Sequence, residues 1–383
     1  MTIAIVVVGY NRPKALEGLL NSLSEIRTNR DVPLIISIDN KGTEAVNKIA
    51  EQYEWAHGPK EVLIHQQKKG LVKHFIWTGD QTEKYDVVIF LEDDLLVSPE
   101  IINYVEKVAD FYKDDERIAG ASLYNPIINE ITGGRFYQVD DGRDNYFLQQ
   151  PYWGHVWFKK PWIEFQEYLK NYKVNREILP SGIADWGDGS FKRIFIQFLI
   201  ERNKFIVTPR TSLVTNNGVP GLHSGKRECY FQSPMQLECK EYHFSKFDDS
   251  KSIYDSSYEV LPKILKEYCE ALKGYDFEVD VNGSKKNVSK EYILTTKKSI
   301  RPILTFSSLM KPTEMSVVFQ QKGDEELVFC KTVDIVEDKS FYRKRRFNDI
   351  QKNYPVGVME SLLFFKYGVR RFWSVIKGRL KGK

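Results

Sequence analysis

Cysteine is scarce, with four in 383 residues. Cys229, Cys239, Cys269 and Cys330 show no CxxC spacing, so neither a zinc knuckle nor a redox pair is signalled. Four are also too few to staple a chain of this length, and reduced thiols in a cytosolic protein are the simplest reading. Long apolar runs are missing. The longest near the start, Ile3 to Val8, is about a strand's worth, and it lacks the basic flank and small-residue cleavage site of a signal peptide. The glycosylation patterns at Asn282 and Asn287 therefore read as chance matches. No GxGxxG follows the first apolar run, which argues against a dinucleotide-dependent oxidoreductase. A dominant charge is missing too: 56 Lys and Arg against 52 Asp and Glu leave +4. That argues against a globally basic face, and no nucleic-acid partner is expected.

The small net charge is unevenly spread. Residues 341–383 carry 12 Lys and Arg against 2 Asp and Glu, a net of +10. The first 340 carry 44 against 50, a net of −6. An acidic body is thus joined to a basic tail.

What is present is alternation. Ile3 to Val8 is a β-branched run suited to a strand buried on both faces. Gly9-Tyr10-Asn11-Arg12-Pro13 follows, with Asn11 suited to cap a helix and Pro13 to its first turn. Leu16, Leu19, Leu20 and Leu23 continue at helical spacing. Strands are predicted at Pro33 to Ile38, Val62 to His65, Tyr85 to Leu91, Ile118 to Leu123 and Phe205 to Pro209. Helices are predicted at Glu44 to Tyr53, Leu71 to Gly79, Pro161 to Tyr172 and Asp188 to Arg202, with ordered loops and short strands from Thr132 to Trp157. This is an α/β chain with a mostly parallel, doubly wound central sheet and helices on both faces. From about Asp276 the pattern changes. Tyr275 to Val281, Glu291 to Thr296, Ile303 to Phe306, Ser316 to Gln320 and Leu327 to Val333 predict a small antiparallel β-rich module. In the tail, Val358, Leu362, Phe365, Val369, Phe372, Ile376 and Leu380 recur at spacings of three and four, which predicts an amphipathic basic helix suited to an anionic membrane surface. The alternative is a helix docked on the body or on another subunit.

In such sheets ligands bind beyond the carboxyl ends of the strands. Three polar clusters fall there: Tyr10-Asn11-Arg12, Asp39-Asn40 and Glu92-Asp93-Asp94. Three adjacent carboxylates suit either water or a cation. Mg²⁺ or Mn²⁺ binds through one or two carboxylates plus phosphate oxygens and offsets charge on a leaving diphosphate. Asp39 suits a base or a ribose, or else a turn. Arg12 suits a phosphate, or a surface helix start. His74 reads as a diphosphate contact or a structural histidine. Asp185-Trp186-Gly187-Asp188 combines a sugar-stacking ring with a carboxylate able to take a hydroxyl proton. Asp188 also suits a helix N-cap. His223, in a glycine-flanked loop, suits a metal or phosphate contact, or a mobile loop.

In this order the clusters resemble the GT-A glycosyltransferases, and specifically the N-acetylglucosaminyltransferase I family. The likeness is carried by Asn11-Arg12-Pro13, Ile38-Asp39, Val72 to Trp77, Val88 to Leu95 with Val97-Ser98-Pro99-Glu100, Tyr152 to Trp157 and Asp185-Trp186. The resemblance implies a GT-A fold, an inverting transfer and a UDP-sugar donor. It implies that Asp94 binds Mn²⁺ (or Mg²⁺), to which the loop reading adds His223 as a metal contact, and that Glu92 and Asp93 contact donor sugar and ribose. Arg12, Asp39 and His74 would hold the nucleotide, and Asp185 or Asp188 would be the base. The expected layout is a catalytic domain over 1–270, with a nucleotide-sugar half to about 125 and an acceptor half after it. A β-rich module over 271–340 and a membrane-surface tail over 341–383 follow. The cysteine usage and the tail look like a bacterial enzyme at the inner face of the cell membrane, building surface polysaccharide on a glycan or polyprenyl-linked sugar. The alternatives are a sugar nucleotidyltransferase, whose glycine-rich loop is reduced here to Gly9, and a non-catalytic carbohydrate-binding protein.

Overall fold

The computed structural model describes residues 1–187, 189–219, 230–323, 326–341, 343, 347 and 357–381. The chain begins with β1 (Ile3–Gly9), α1 (Pro13–Leu23), β2 (Leu34–Ile38), α2 (Glu44–Gln52), β3 (Lys60–Ile64) and α3 (Leu71–Asp80). It continues with β4 (Val87–Glu92), β5 (Leu95–Val97), α4 (Ile101–Tyr112), β6 (Ile118–Ser122), β7 (Asn145–Leu148) and β8 (His155–Phe158). Then come α5 (Lys159–Lys170), α6 (Phe191–Glu201), β9 (Phe205–Pro209), β10 (Val214–Asn216), β11 (Ile253–Tyr254) and α7 (Pro262–Tyr268).

Nine of these strands form one sheet in the order β11-β7-β9-β6-β8-β4-β1-β2-β3. β1, β2, β3 and β4 pair in parallel. β8 is wedged antiparallel between β4 and β6, so β6 and its parallel partner β9 run with the first four. β7 and β11 run the other way. The sheet is therefore mostly parallel, with three reversed strands. The β-branched runs of β1 and β2 are buried throughout, because helices cover both faces. Ile5, Val7, Ile36 and Leu91 face α1 and α4; Val6, Val88, Phe90 and Ile35 face α3, α5 and α6.

The four-stranded module has β12 (Phe277–Asp280), β13 (Tyr292–Thr295), β14 (Leu304–Phe306) and β15 (Leu327–Lys331), in the order β12-β13-β15-β14. Two expectations are corrected here. The β12–β13 pair is parallel, not antiparallel. The segment between them is long enough to cross back, and its start is pinned: both Glu259 carboxylate oxygens accept from the backbone of Val281 and Asn282, each at 2.9 Å. The run Ser316 to Gln320 is no strand, since Met315–Val318 forms a single helical turn, α8. Ser316 and Val317 are buried against the body there, and tertiary packing overrides the β propensity of Val317-Val318.

Two helix starts also differ from expectation. Arg12, not Asn11, occupies the N-cap position of α1, and its side chain makes no cap bond because it reaches elsewhere. α6 begins at Phe191 with Ser190 as its N-cap, the Ser190 hydroxyl accepting from Arg193 N at 3.2 Å. The N-cap expected of Asp188 is thus filled by Ser190, and Asp188 lies outside the described residues. The last helix spans Val358–Lys381. Among the described residues no helix is long and apolar enough to cross a membrane.

Candidate active site

Strand register assembles the site. Val8 pairs with Glu92 and Gly9 with Ile38, so the ends of β1, β2 and β4 lie side by side. The Arg12, Asp39 and Glu92–Asp94 clusters therefore emerge on one edge of the sheet. Asn40 Nδ2 donates to the Tyr10 hydroxyl at 3.2 Å, tying two of these loops together.

Arg12 and the acidic loop are in direct contact. The guanidinium donates to both carboxylate oxygens of Asp93 and, through Nη1 at 2.8 Å, to Asp94 Oδ2. Asp93 is buried and Asp94 nearly so. The other Asp94 oxygen, Oδ1, is buried without a hydrogen-bond partner among the described residues. Burial pushes the Asp93 carboxyl up to about 6, against the opposing pull of Arg12. Glu92 is pushed well above the usual carboxylate range by burial first, then by repulsion from Asp94 and Asp93. The loop backbone is fixed by β5, which pairs antiparallel with β10, and by Asn217 N donating to the Asp94 carbonyl at 2.8 Å. Neither short strand is apparent from the sequence. The segment after Val219, with His223, lies outside the described residues.

Asp39 is engaged with backbone. Its oxygens accept from Lys69 N at 2.7 Å and Gly70 N at 3.2 Å, at the start of α3. His74 Nε2 contacts the Ser37 hydroxyl at 2.7 Å, and His65 Nε2 contacts the same hydroxyl at 2.8 Å. His65 and His74 also pack edge to face at 5.5 Å, with Trp77 beside both. Burial lowers the His74 pKa to about 4, so it is neutral near pH 7. Sequence reasoning found His74, with Trp77 in the same motif, but not Ser37 or His65; a histidine directly after β3 was the available signal.

Asp185 is exposed on a one-turn helix, Ile183–Asp185. Trp186 packs toward Leu179, Ile183 and Ile196, so its ring is partly committed to a small core. Phe191, the first residue of α6, packs on Phe75 at 5.1 Å; Phe75 packs on Phe90 at 4.4 Å. Phe90 and Glu92 share a face of β4 by strand alternation. The turn bearing Asp185 thus precedes a helix anchored on the Glu92 side of the sheet.

Just before β8, Trp153 packs on Tyr124 at 4.9 Å and on Phe231 at 6.1 Å. The Lys192 ammonium lies 3.9 Å from the Tyr152 ring centre and pairs with Glu130. Tyr124, Glu130 and Lys192 are additions to the residues singled out from the sequence.

A divalent cation can be tested against these side chains. Among the described residues no three His, Cys, Asp or Glu side chains are grouped as a metal cage. A hard ion held mainly by phosphate oxygens needs only one or two protein carboxylates. The buried Asp94 Oδ1, unpartnered among the described residues, fits one such ligand.

The family model described as SPBC1E8.03c C-terminal domain matches residues 14–178. Alpha-1,3-mannosyl-glycoprotein 2-beta-N-acetylglucosaminyltransferase of Arabidopsis thaliana is 25% identical over 228 residues, covering 51% of this chain. The chain spans about half (50%) of that curated relative's length. Among solved structures, S. aureus TarS 1–349 matches 56% of this chain and 60% of its own, with 14% identity and a TM-score of 0.36. GalNAc-T7 with UDP, GalNAc and Mn²⁺ matches 56% of this chain and 43% of its own, with 14% identity and a TM-score of 0.39. Both scores are low. The mixed α/β architecture with its large, mostly parallel sheet is the one that the GT-A resemblance implies.

Proposed function

We propose that the chain is a metal-dependent, inverting glycosyltransferase that moves a sugar from a UDP-sugar to a glycan or polyprenyl-linked acceptor in bacterial surface polysaccharide synthesis. One observation carries this reading. Asp94 keeps a buried oxygen without a partner among the described residues, at the meeting point of three strand ends, where Arg12 already gathers two carboxylates. The name of the Arabidopsis relative supports N-acetylglucosamine as the transferred sugar.

Asp94, with His223, would hold Mn²⁺ or Mg²⁺, which when bound supplies positive charge to a departing diphosphate. Arg12 supplies a fixed cation at the same place, held there by its hydrogen bonds to Asp93 and Asp94. Glu92 and Asp93 would contact donor sugar and ribose. Arg12, Asp39 and His74 would hold the nucleotide, Asp39 by fixing the start of α3. Asp185, exposed and within reach of solvent, would take the proton of the acceptor hydroxyl as its oxygen bonds to the anomeric carbon and the bond to UDP breaks. Asp188 is the second candidate for that role.

The test uses two variants of the full chain. Asp94→Asn should abolish Mn²⁺-dependent transfer while leaving the circular dichroism spectrum unchanged. Asp185→Asn should lower transfer by about 10²–10⁴-fold and keep UDP binding by calorimetry. Full activity in the first removes the metal assignment; full activity in the second moves the base to Asp188 or elsewhere.

A further inference from the structure

We propose that the helix Val358–Lys381 docks in the plane of an anionic lipid surface, such as the inner leaflet of a cell membrane. The inference goes beyond the transferase reading and stands on the helix alone. At about 100° per residue, Val358, Leu362, Phe365, Val369, Phe372 and Trp373 fall in one stripe about 100° wide. All six are exposed, Phe365 by 74%, Phe372 by 63% and Trp373 by 56%. Lys366 and Arg370 run along one edge of the stripe.

A surface helix of a globular protein turns such a stripe to its core. Here the stripe stands open, so the described body does not cover it. Two occupants remain, a second copy of the helix or a lipid surface, and charge separates them. Residues 358–381 hold six Lys and Arg against one Glu. A paired copy would bring like charges together along the seam. An anionic headgroup layer would instead neutralise them, while Lys and Arg stems lie on the apolar boundary and their charged ends reach the headgroups. An aromatic side chain at the edge of the stripe, such as Trp373, suits that boundary. No stretch of the helix is apolar enough to cross, so it lies on the surface, about 36 Å long at 1.5 Å per residue.

The experiment is cosedimentation of the full chain with vesicles of phosphatidylcholine alone and of phosphatidylcholine with phosphatidylglycerol. Binding is expected to the second kind, and to weaken steeply with salt. The double variant Lys366→Glu/Arg370→Glu should weaken it about tenfold or more. Phe365→Ser/Phe372→Ser should weaken it through the apolar side. Neither should change UDP-sugar binding by calorimetry, since no helix residue belongs to the active site. Failure of the wild type to bind the anionic vesicles, or unchanged binding after charge reversal, overturns the proposal. So does a dimer, found by sedimentation without vesicle binding, that Phe365→Ser/Phe372→Ser dissolves. Absent UDP-sugar binding in a chain that still binds vesicles would count against the transferase reading and leave the docking helix in place.

Discussion

His74 shows how one side chain joins packing to chemistry. It links α3 to β2 through Ser37, beneath the loop that Asp39 fixes. Burial holds it neutral, with a pKa of about 4 against an ordinary 6.5. The unfolded chain takes up this proton near pH 6.5 and the native state only near pH 4. The unfolded state therefore binds more protons within that window, and native stability falls as pH drops through it. His74→Gln keeps a hydrogen-bonding group for Ser37 and removes the titration. Relative to the variant, the wild type should lose on the order of 3 kcal/mol between pH 7 and pH 4. Denaturant midpoints at several pH values check this, and parallel curves would refute it. At the same scale, the meeting of Arg12, Asp93 and Asp94 at one edge of the sheet was legible because each lies just past the end of an apolar strand and parallel pairing brings those strand ends together. Ser37 was not, since one hydroxyl inside an apolar strand carries no sign of its two histidine partners.

Elements were legible where burial is complete. β1 and β4 are continuous apolar runs, and α1 repeats leucine at helical spacing. β5 and β10 were not, because three residues each are too few for any period and their pairing joins residues 95–97 to 214–216. α8 was misread for the same reason: in one turn, contacts with the body outweigh propensity. A less visible dependence is that of α3 on α5. A Cβ at Gly79 would sit 2.0 Å from Trp162 Cζ2, whose ring is buried and whose Nε1 donates to Asp80 at 3.0 Å. Gly79→Ala should therefore destabilise the protein by about 1–3 kcal/mol, despite the better helix propensity of alanine. Thermal unfolding with no loss, or with a gain, would show that the ring moves freely.

Over the whole molecule, one apolar core runs from the main sheet to Phe277, Leu294 and Phe329 of the module. The seam also contains a buried acid. Glu314 lies before α8 and accepts from the Tyr254 hydroxyl of β11 at 3.4 Å. Burial pushes its pKa up to about 7 from an ordinary 4.5. Between these values the unfolded chain loses its proton first, so stability falls as pH rises through pH 4.5 to 7. Glu314→Gln removes that loss. Compared with the wild type, the variant should gain on the order of 3 kcal/mol between pH 4 and pH 8. A constant difference across that range would mean that the seam admits water. The charge split was legible at this scale from counting alone. The continuity of the core was not, because it depends on which buried faces meet.

The wedged strand β8 bears on how the chain is made. β4 carries Glu92 at its end, and its pairing on one side waits for residues 155–158. While the ribosome is still adding the intervening segment, β4 is an open edge beside an acidic loop. Open apolar edges invite pairing with other chains. A nascent or truncated polypeptide that stops before His155 should therefore aggregate or require a chaperone, even though it already holds Arg12, Asp39 and all three carboxylates of Glu92–Asp94.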